Sequence, residues 1–286
     1  MTASVRVVAD SACDLPDELV AELGITIVPL SIRFGAEEFV DRKDLSAQEF
    51  WHRVAASPVL PETAAPSPGS FEAAFRDAAT AGCTGVVCVC LSSALSATIG
   101  SARVAAEAVA DVIEVRLVDS LSISMGQGTM ATRAARIANS GAGLDAVERA
   151  ARELVGRTMV YGALDTLDNL KKGGRIGGAQ ALIGSLLQVK PIIDVSSGSV
   201  TQAGKQRTRG KALAHLAQLL ADAKAAHGSV ENVAIVHGDA PDFSVLLDLI
   251  ARHYPREDVI VGQIGAVIGT HGGPRVIGIT FNVAPA

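Results

Sequence analysis

The segment Gly85-Val86-Val87-Cys88-Val89-Cys90-Leu91, running into Ser92-Ser93-Ala94-Leu95-Ser96-Ala97-Thr98, decides the fold. A short run with almost no polar side chain reads as a strand covered on both faces, as in a parallel sheet flanked by helices. The turn after it is rich in hydroxyls and leads into an alanine-rich helical stretch, Ser96–Ala110. Outward from there the pattern repeats. Helices are expected over Pro68–Ala81 and Ser122–Asn139, with a strand at Val112–Val118 between them. Toward the N-terminus come a strand at Val5–Ala9, a helix at Pro16–Leu23 and a strand at Ile25–Leu30. A helix follows at Ser46–Ala56, with Ser46 as cap and Glu49 three residues on, the capping-box spacing. Strands alternating with helices of this length form βαβ units and a parallel sheet.

The pattern changes near Gly156. Thr158–Leu164 reads as a strand, Leu167–Lys172 as a short helix and Ala179–Val189 as a helix. Pro191–Val195 and Ser199–Ala203, joined by Ser-Gly, carry a hairpin signal. A long helix over Thr208–Ala226, a strand at Val233–His237, a helix at Asp242–His253 and strands at Val259–Gln263 and Val276–Phe281 complete the chain. The expected fold is α/β: a parallel-sheet N-terminal domain with helices on both faces (1–156) and a smaller α+β C-terminal domain (157–286).

Composition narrows the function. The 286 residues are 49% hydrophobic and 19% charged, and only 3% are aromatic, so the interior is aliphatic. A net charge of −5 argues against a nucleic-acid surface. No basic-then-apolar leader is visible at the start, and no stretch has the length and apolarity of a spanning helix. Cys88 and Cys90 have poor spacing for a zinc knuckle and read, with Cys13 and Cys83, as reduced thiols of a cytoplasmic protein.

Four strand-end turns of the first half are rich in hydroxyls: Asp10–Asp14, Thr63–Pro68, Ser92–Thr98 and Asp119–Ser124. Helix N-termini offer unpaired N–H groups and partial positive charge, so hydroxyls there can hold a carboxylate or phosphate without lysine or arginine. The same residues also serve as ordinary helix caps. In the aggregate the two readings balance. No Walker A loop, nucleophile elbow or H-E-x-x-H motif occurs, and no metal site or catalytic residue is assigned. His271 falls in the glycine-rich Gly269–Pro274, which reads as a turn that leaves it exposed and mobile unless pinned. Lys171-Lys172-Gly173-Gly174-Arg175 suggests either a surface contact or a solvated helix end.

Taken in order, these motifs resemble the DegV family of bacterial fatty-acid-binding proteins. The markers are Asp10-Ser11 with Asp14-Leu15-Pro16, Val28-Pro29-Leu30, Thr63 with Pro66-Ser67-Pro68, and Leu91-Ser92-Ser93-Ala94-Leu95-Ser96. They continue through Val118-Asp119-Ser120, Asp165-Thr166-Leu167, Leu170–Ile176, Lys190-Pro191-Ile192 and Arg207-Thr208. The resemblance implies a long-chain fatty acid such as palmitate, held between two domains with no cofactor. It implies a carboxylate clamp of Thr63 with Ser96, favoured as the helix cap, or Ser93. It gives His271 as a further ligand contact. Arg175 and Arg207 become candidates for the surface that meets an ATP-dependent fatty acid kinase, the partner that would make the acyl phosphate. Contact with a membrane surface would be transient. Alanines 64 and 65 stand where the family often has Ser-Gln, and Gly272 where it often has Thr.

The energetics suit a lipid. Each hydrogen bond to a charged group nets about 1.5–3 kcal/mol, whereas about fourteen buried methylenes supply on the order of 11 kcal/mol before binding costs. The alternatives are a small-molecule phosphotransferase using the same anion site and a lipid-dependent regulatory protein.

Overall fold

The computed structural model describes residues 4–182 and 189–285. The chain runs β1 (Val5–Asp10), α1 (Asp17–Leu23), β2 (Thr26–Val28), β3 (Ser31–Phe34), β4 (Glu37–Val40), α2 (Ala47–Ala56), β5 (Glu62–Ala64) and α3 (Pro68–Thr80). It continues through β6 (Gly85–Cys90), α4 (Thr98–Ala108), β7 (Glu114–Asp119), α5 (Ser124–Asn139) and α6 (Leu144–Arg152). The second half holds β8 (Thr158–Ala163), α7 (Asp168–Lys172), β9 (Lys190–Asp194), β10 (Thr201–Gln206), α8 (Arg209–His227) and β11 (Val230–His237). It ends with α9 (Phe243–Ile250), β12 (Ile260–Gln263), α10 (Ala266–Gly272) and β13 (Ile277–Val283).

The first sheet is parallel, in the order β2-β1-β6-β7. All six residues of β6 are buried, as its composition requires. Alternation along the strands divides the core. Val8, Val86, Cys88 and Cys90 face Phe71 and Phe75 of α3 and Ala102 and Ala105 of α4. Val7, Ala9, Val87 and Val89 face Met130 and Ala134 of α5 and Val147 and Ala151 of α6. Cys88 and Cys90 thus share a face, their sulfurs 3.7 Å apart, and all four cysteines are free. Several helices start on side-chain caps: Ser46 Oγ accepts from Glu49 N at 3.1 Å, Ser67 Oγ from Ser70 N at 3.2 Å with Pro68 in the first turn, and Thr208 Oγ1 from Lys211 N at 3.3 Å.

The second sheet has six strands in the order β10-β9-β8-β13-β11-β12, antiparallel except for β11 with β12. The expected hairpin is β9–β10. One apolar cluster runs from the inner face of the first sheet through α5 to Val160, Ile193 and Val236 of the second. Glycine lets α5 approach both sides. A Cβ on Gly126 would lie 2.7 Å from Val160 Cγ2, and one on Gly128 would lie 2.7 Å from the Cys13 carbonyl oxygen.

Several expectations are corrected. The strand expected over Ile25–Leu30 is only β2, because Pro29 cannot donate to a ladder. The chain then builds a small antiparallel sheet, β4-β3-β5, which the sequence reading lacks. It also lacks α6. Where a helix is expected at Ala179–Val189 there is a 3₁₀ turn over Gly177–Leu182; residues 183–188 lie outside the described residues, and Val189 is not helical. The glycine-rich segment around His271 is helical, forming α10. Among the described residues, no helix is long and apolar enough to cross a membrane.

Candidate functional site

A cavity of about 850 Å³, its mouth included, lies between the two large sheets. Its walls come from β8, β9, α10, the turn after β6 and the start of α5. Most of the lining is aliphatic and buried: Leu91, Val195, Val236 and Ile264 are at most 4% exposed. The polar lining is sparse. Thr63, Ser96, Arg175 and His271 are all half-buried and face the same space. Arg175 is the only charged side chain in the described lining, so no carboxylate opposes an anionic ligand there.

Each polar group is placed by a separate element. Thr63 sits on β5, paired opposite Ile32 of β3, so the small antiparallel sheet delivers it. Its Oγ1 is 3.0 Å from His271 Nε2, in the last turn of α10. His271 is held rather than mobile. Asn169 Nδ2 donates to the Thr270 carbonyl at 3.0 Å, and a Cβ on Gly173 would lie 2.3 Å from His271 Nδ1. Gly173 is therefore packed against the imidazole. At the other end of α10, Trp51 Nε1 donates to the Ile264 carbonyl at 2.9 Å. Burial, assisted by the nearby Arg175 charge, holds the His271 pKa down at about 4, so the ring is neutral at physiological pH.

Ser96 lines the cavity, but not as the helix cap expected of it. The cap residue of α4 is Ala97, and Ser96 Oγ accepts from Thr98 N at 3.3 Å and pairs with Thr98 Oγ1 at 2.9 Å. Ser93 is exposed and outside the lining, its amide held by Asp119 Oδ1 at 3.2 Å. Arg175 directs its guanidinium inward: Nε donates to the Leu95 carbonyl at 3.1 Å and Nη1 to the Gly173 carbonyl at 2.7 Å. It thereby ties the turn carrying Ser96 to the segment packed on His271. Arg207 is exposed and apart from the cavity.

Most hydroxyls of the four turns hold the fold together. Ser11 Oγ accepts from Leu30 N at 3.1 Å, Ser92 Oγ donates to the Gly198 carbonyl at 2.6 Å, and Ser124 Oγ donates to Asp14 Oδ2 at 2.6 Å. Ser124 lines the cavity as well, a position the sequence reading did not single out.

Fold and cavity together define an α/β protein of two large sheets and one small one, with an aliphatic chamber and a hydroxyl–imidazole pair on its wall. The chain belongs to the DegV family: the family described as "Uncharacterised protein, DegV family" matches residues 4–283. A DegV domain-containing protein of Streptomyces coelicolor is 37% identical over 285 residues, 99% of each chain. A solved DegV-family protein of Thermus thermophilus, described for its fatty-acid binding, superposes with a TM-score of 0.88 at 31% identity, covering 98% of this chain and 100% of that one. A stearic-acid-binding protein of Eubacterium ventriosum gives 0.85 at 26% identity, covering 98% of each. Proteins of this family thus bind fatty acids in crystal structures.

Proposed function

We propose that this chain binds one long-chain fatty acid between two halves divided near residue 156, and presents its carboxylate to a separate ATP-dependent fatty acid kinase. The observation that carries the reading is the Thr63–His271 pair, set in an otherwise aliphatic chamber that no carboxylate lines.

The chemistry of the clamp follows from the neutral imidazole. With Nε2–H donating to Thr63 Oγ1, the hydroxyl hydrogen of Thr63 is left to donate to a carboxylate. In the opposite tautomer Thr63 would spend that hydrogen on the ring and offer an anion only lone pairs. Ser96 supplies the second hydroxyl, and Ser93 stands outside the clamp. Arg175, its Nε and Nη1 engaged by backbone carbonyls, adds a favourable potential at the carboxylate. The tail carries the affinity, with each buried methylene contributing about 0.8 kcal/mol, roughly fourfold in Kd. Arg207, with Arg175 at the mouth, belongs to the surface that meets the kinase and helps phosphorylate the exposed carboxylate.

Two measurements test this. Denaturing extraction and mass spectrometry of the purified chain should release a stoichiometric fatty acid. An empty protein that also fails to bind palmitate would sink the reading. Incubation with ATP, magnesium and fatty acid should give acyl phosphate only when the kinase is added. Product from the isolated chain would favour a phosphotransferase instead.

A further inference from the structure

A second cavity, of about 810 Å³ with its mouth, lies beside the first-strand turn, apart from the lipid chamber. Three segments wall it: the turn and helix start after β1, the loop between β4 and α2, and the loop between β12 and α10. Its lining is polar in an unusual way. Ser11, Asp14 and Asp41 all face it and are 2%, 6% and 2% exposed. Buried carboxylates are costly unless paired, so their compensation has to be found.

The compensation falls short. Asp14 is served: Oδ2 accepts from Ser124 Oγ at 2.6 Å and Oδ1 from Gly265 N at 2.9 Å. The Asp41 carboxyl has the Ser11 hydroxyl and the Arg42 and Ala266 amides beside it, yet its buried Oδ2 meets no hydrogen-bond partner at good geometry among the described residues. The one cation in the lining, Arg42, donates to the Leu15 carbonyl at 2.8 Å and to the carboxylate of Asp17, which is largely exposed. Three carboxyls therefore face one guanidinium, and the remaining polar lining, Ser46 and Gln263, is neutral. Burial pushes the pKa of Asp14 up to about 7 and that of Asp41 to about 6, against the opposing pull of Arg42.

We propose that this cavity is a cation site, in which Asp41, through its unpaired Oδ2, and Asp14 take a monovalent cation: a potassium ion or the ammonium group of a small amine. Ionised, the two buried carboxylates offer only acceptors, which selects a donor or a bare cation. A divalent metal fits less well, because no three acidic, histidine or cysteine side chains among the described residues converge on one point. Arg42 pairs with Asp17, so one added positive charge offsets one of the two buried carboxylates that remain. The site also touches both functional walls. Asp14 holds Ser124, which lines the lipid chamber, and Gly265, which leads into the helix carrying His271.

The test is thermal unfolding of the full chain at neutral pH and equal ionic strength in potassium, ammonium, methylammonium and tetramethylammonium chlorides. Tetramethylammonium, bulky and without N–H donors, is the reference. Potassium or ammonium should raise Tm by about 2–4 °C over it, and Asp41→Asn should abolish the difference. Stabilisation that extends to methylammonium identifies an amine site, and stabilisation confined to the smaller ions identifies an ion site. Equal Tm values in all these salts overturn the proposal, as does a salt effect that Asp41→Asn leaves intact. Should the variant not fold, ¹⁵N-ammonium NMR on the unaltered chain replaces it. Line broadening reversed by potassium is expected, and its absence refutes the site.

Discussion

Thr63→Val removes one hydroxyl from the wall of the lipid chamber while keeping a β-branched side chain on β5, where the backbone pairing to Ile32 is untouched. The lost interaction is a hydrogen bond to a charged carboxylate, about 1.5–3 kcal/mol, which corresponds to a Kd roughly 10- to 150-fold weaker. The tail is unaffected, so the loss should be the same for every chain length that fits. A long-chain alcohol offers no charge. Its bond to Thr63 is an ordinary one of about 0.5–1.5 kcal/mol, so the same substitution should weaken it about tenfold at most. The assay is displacement of a fluorescent fatty acid from delipidated protein by palmitate and by hexadecanol, for the unaltered chain and the variant. The variant also leaves His271 Nε2 without its 3.0 Å partner, so a fall in Tm should accompany the weaker binding. Equal losses for acid and alcohol, or an unchanged Kd for palmitate, would refute the idea that Thr63 reads the carboxylate.

Three further outcomes are expected. Because the folded-state pKa of His271 lies at about 4, below the ordinary value, the unfolded chain binds the proton first, and this residue's contribution to stability is lost as pH falls from about 6.5 to about 4. Buried Asp14 has the opposite sign: its stabilising protonated form is lost as pH rises toward about 7, so His271→Gln and Asp14→Asn should tilt the Tm-versus-pH curve in opposite directions. Gly173→Ala forces a methyl to within 2.3 Å of His271 Nδ1, so the imidazole must move; calorimetry should show weaker palmitate binding, with a destabilisation of about 1–3 kcal/mol. Trp51→Phe strands the buried Ile264 carbonyl and should cost about 1–3 kcal/mol in urea unfolding.

How much of this was legible follows from what each segment buries. The first sheet could be read because strands covered on both faces spell continuous apolar runs, as Gly85–Cys90 does. The small sheet was missed because its strands are short and carry exposed charges, Arg33, Glu37 and Glu38. That omission matters, since β5 is what brings Thr63 to His271; the family resemblance named the residue, but its placement needed a sheet the pattern did not announce. Helix α10 was hidden by its own glycines, which read as a turn and in fact allow close packing: a Cβ on Gly269 would lie 2.6 Å from the Phe50 ring. The hydroxyl-rich turns show the opposite error. Polar residues at strand ends look like a site in sequence, yet Ser11, Ser92 and Ser124 make internal bonds. What distinguishes a ligand group from a structural one is a hydrogen-bonding valence still directed into a cavity, and that is a property of three-dimensional placement. Gly173 makes the same point. Its sequence context suggested a basic surface, and its absent side chain turns out to be the space in which the histidine sits.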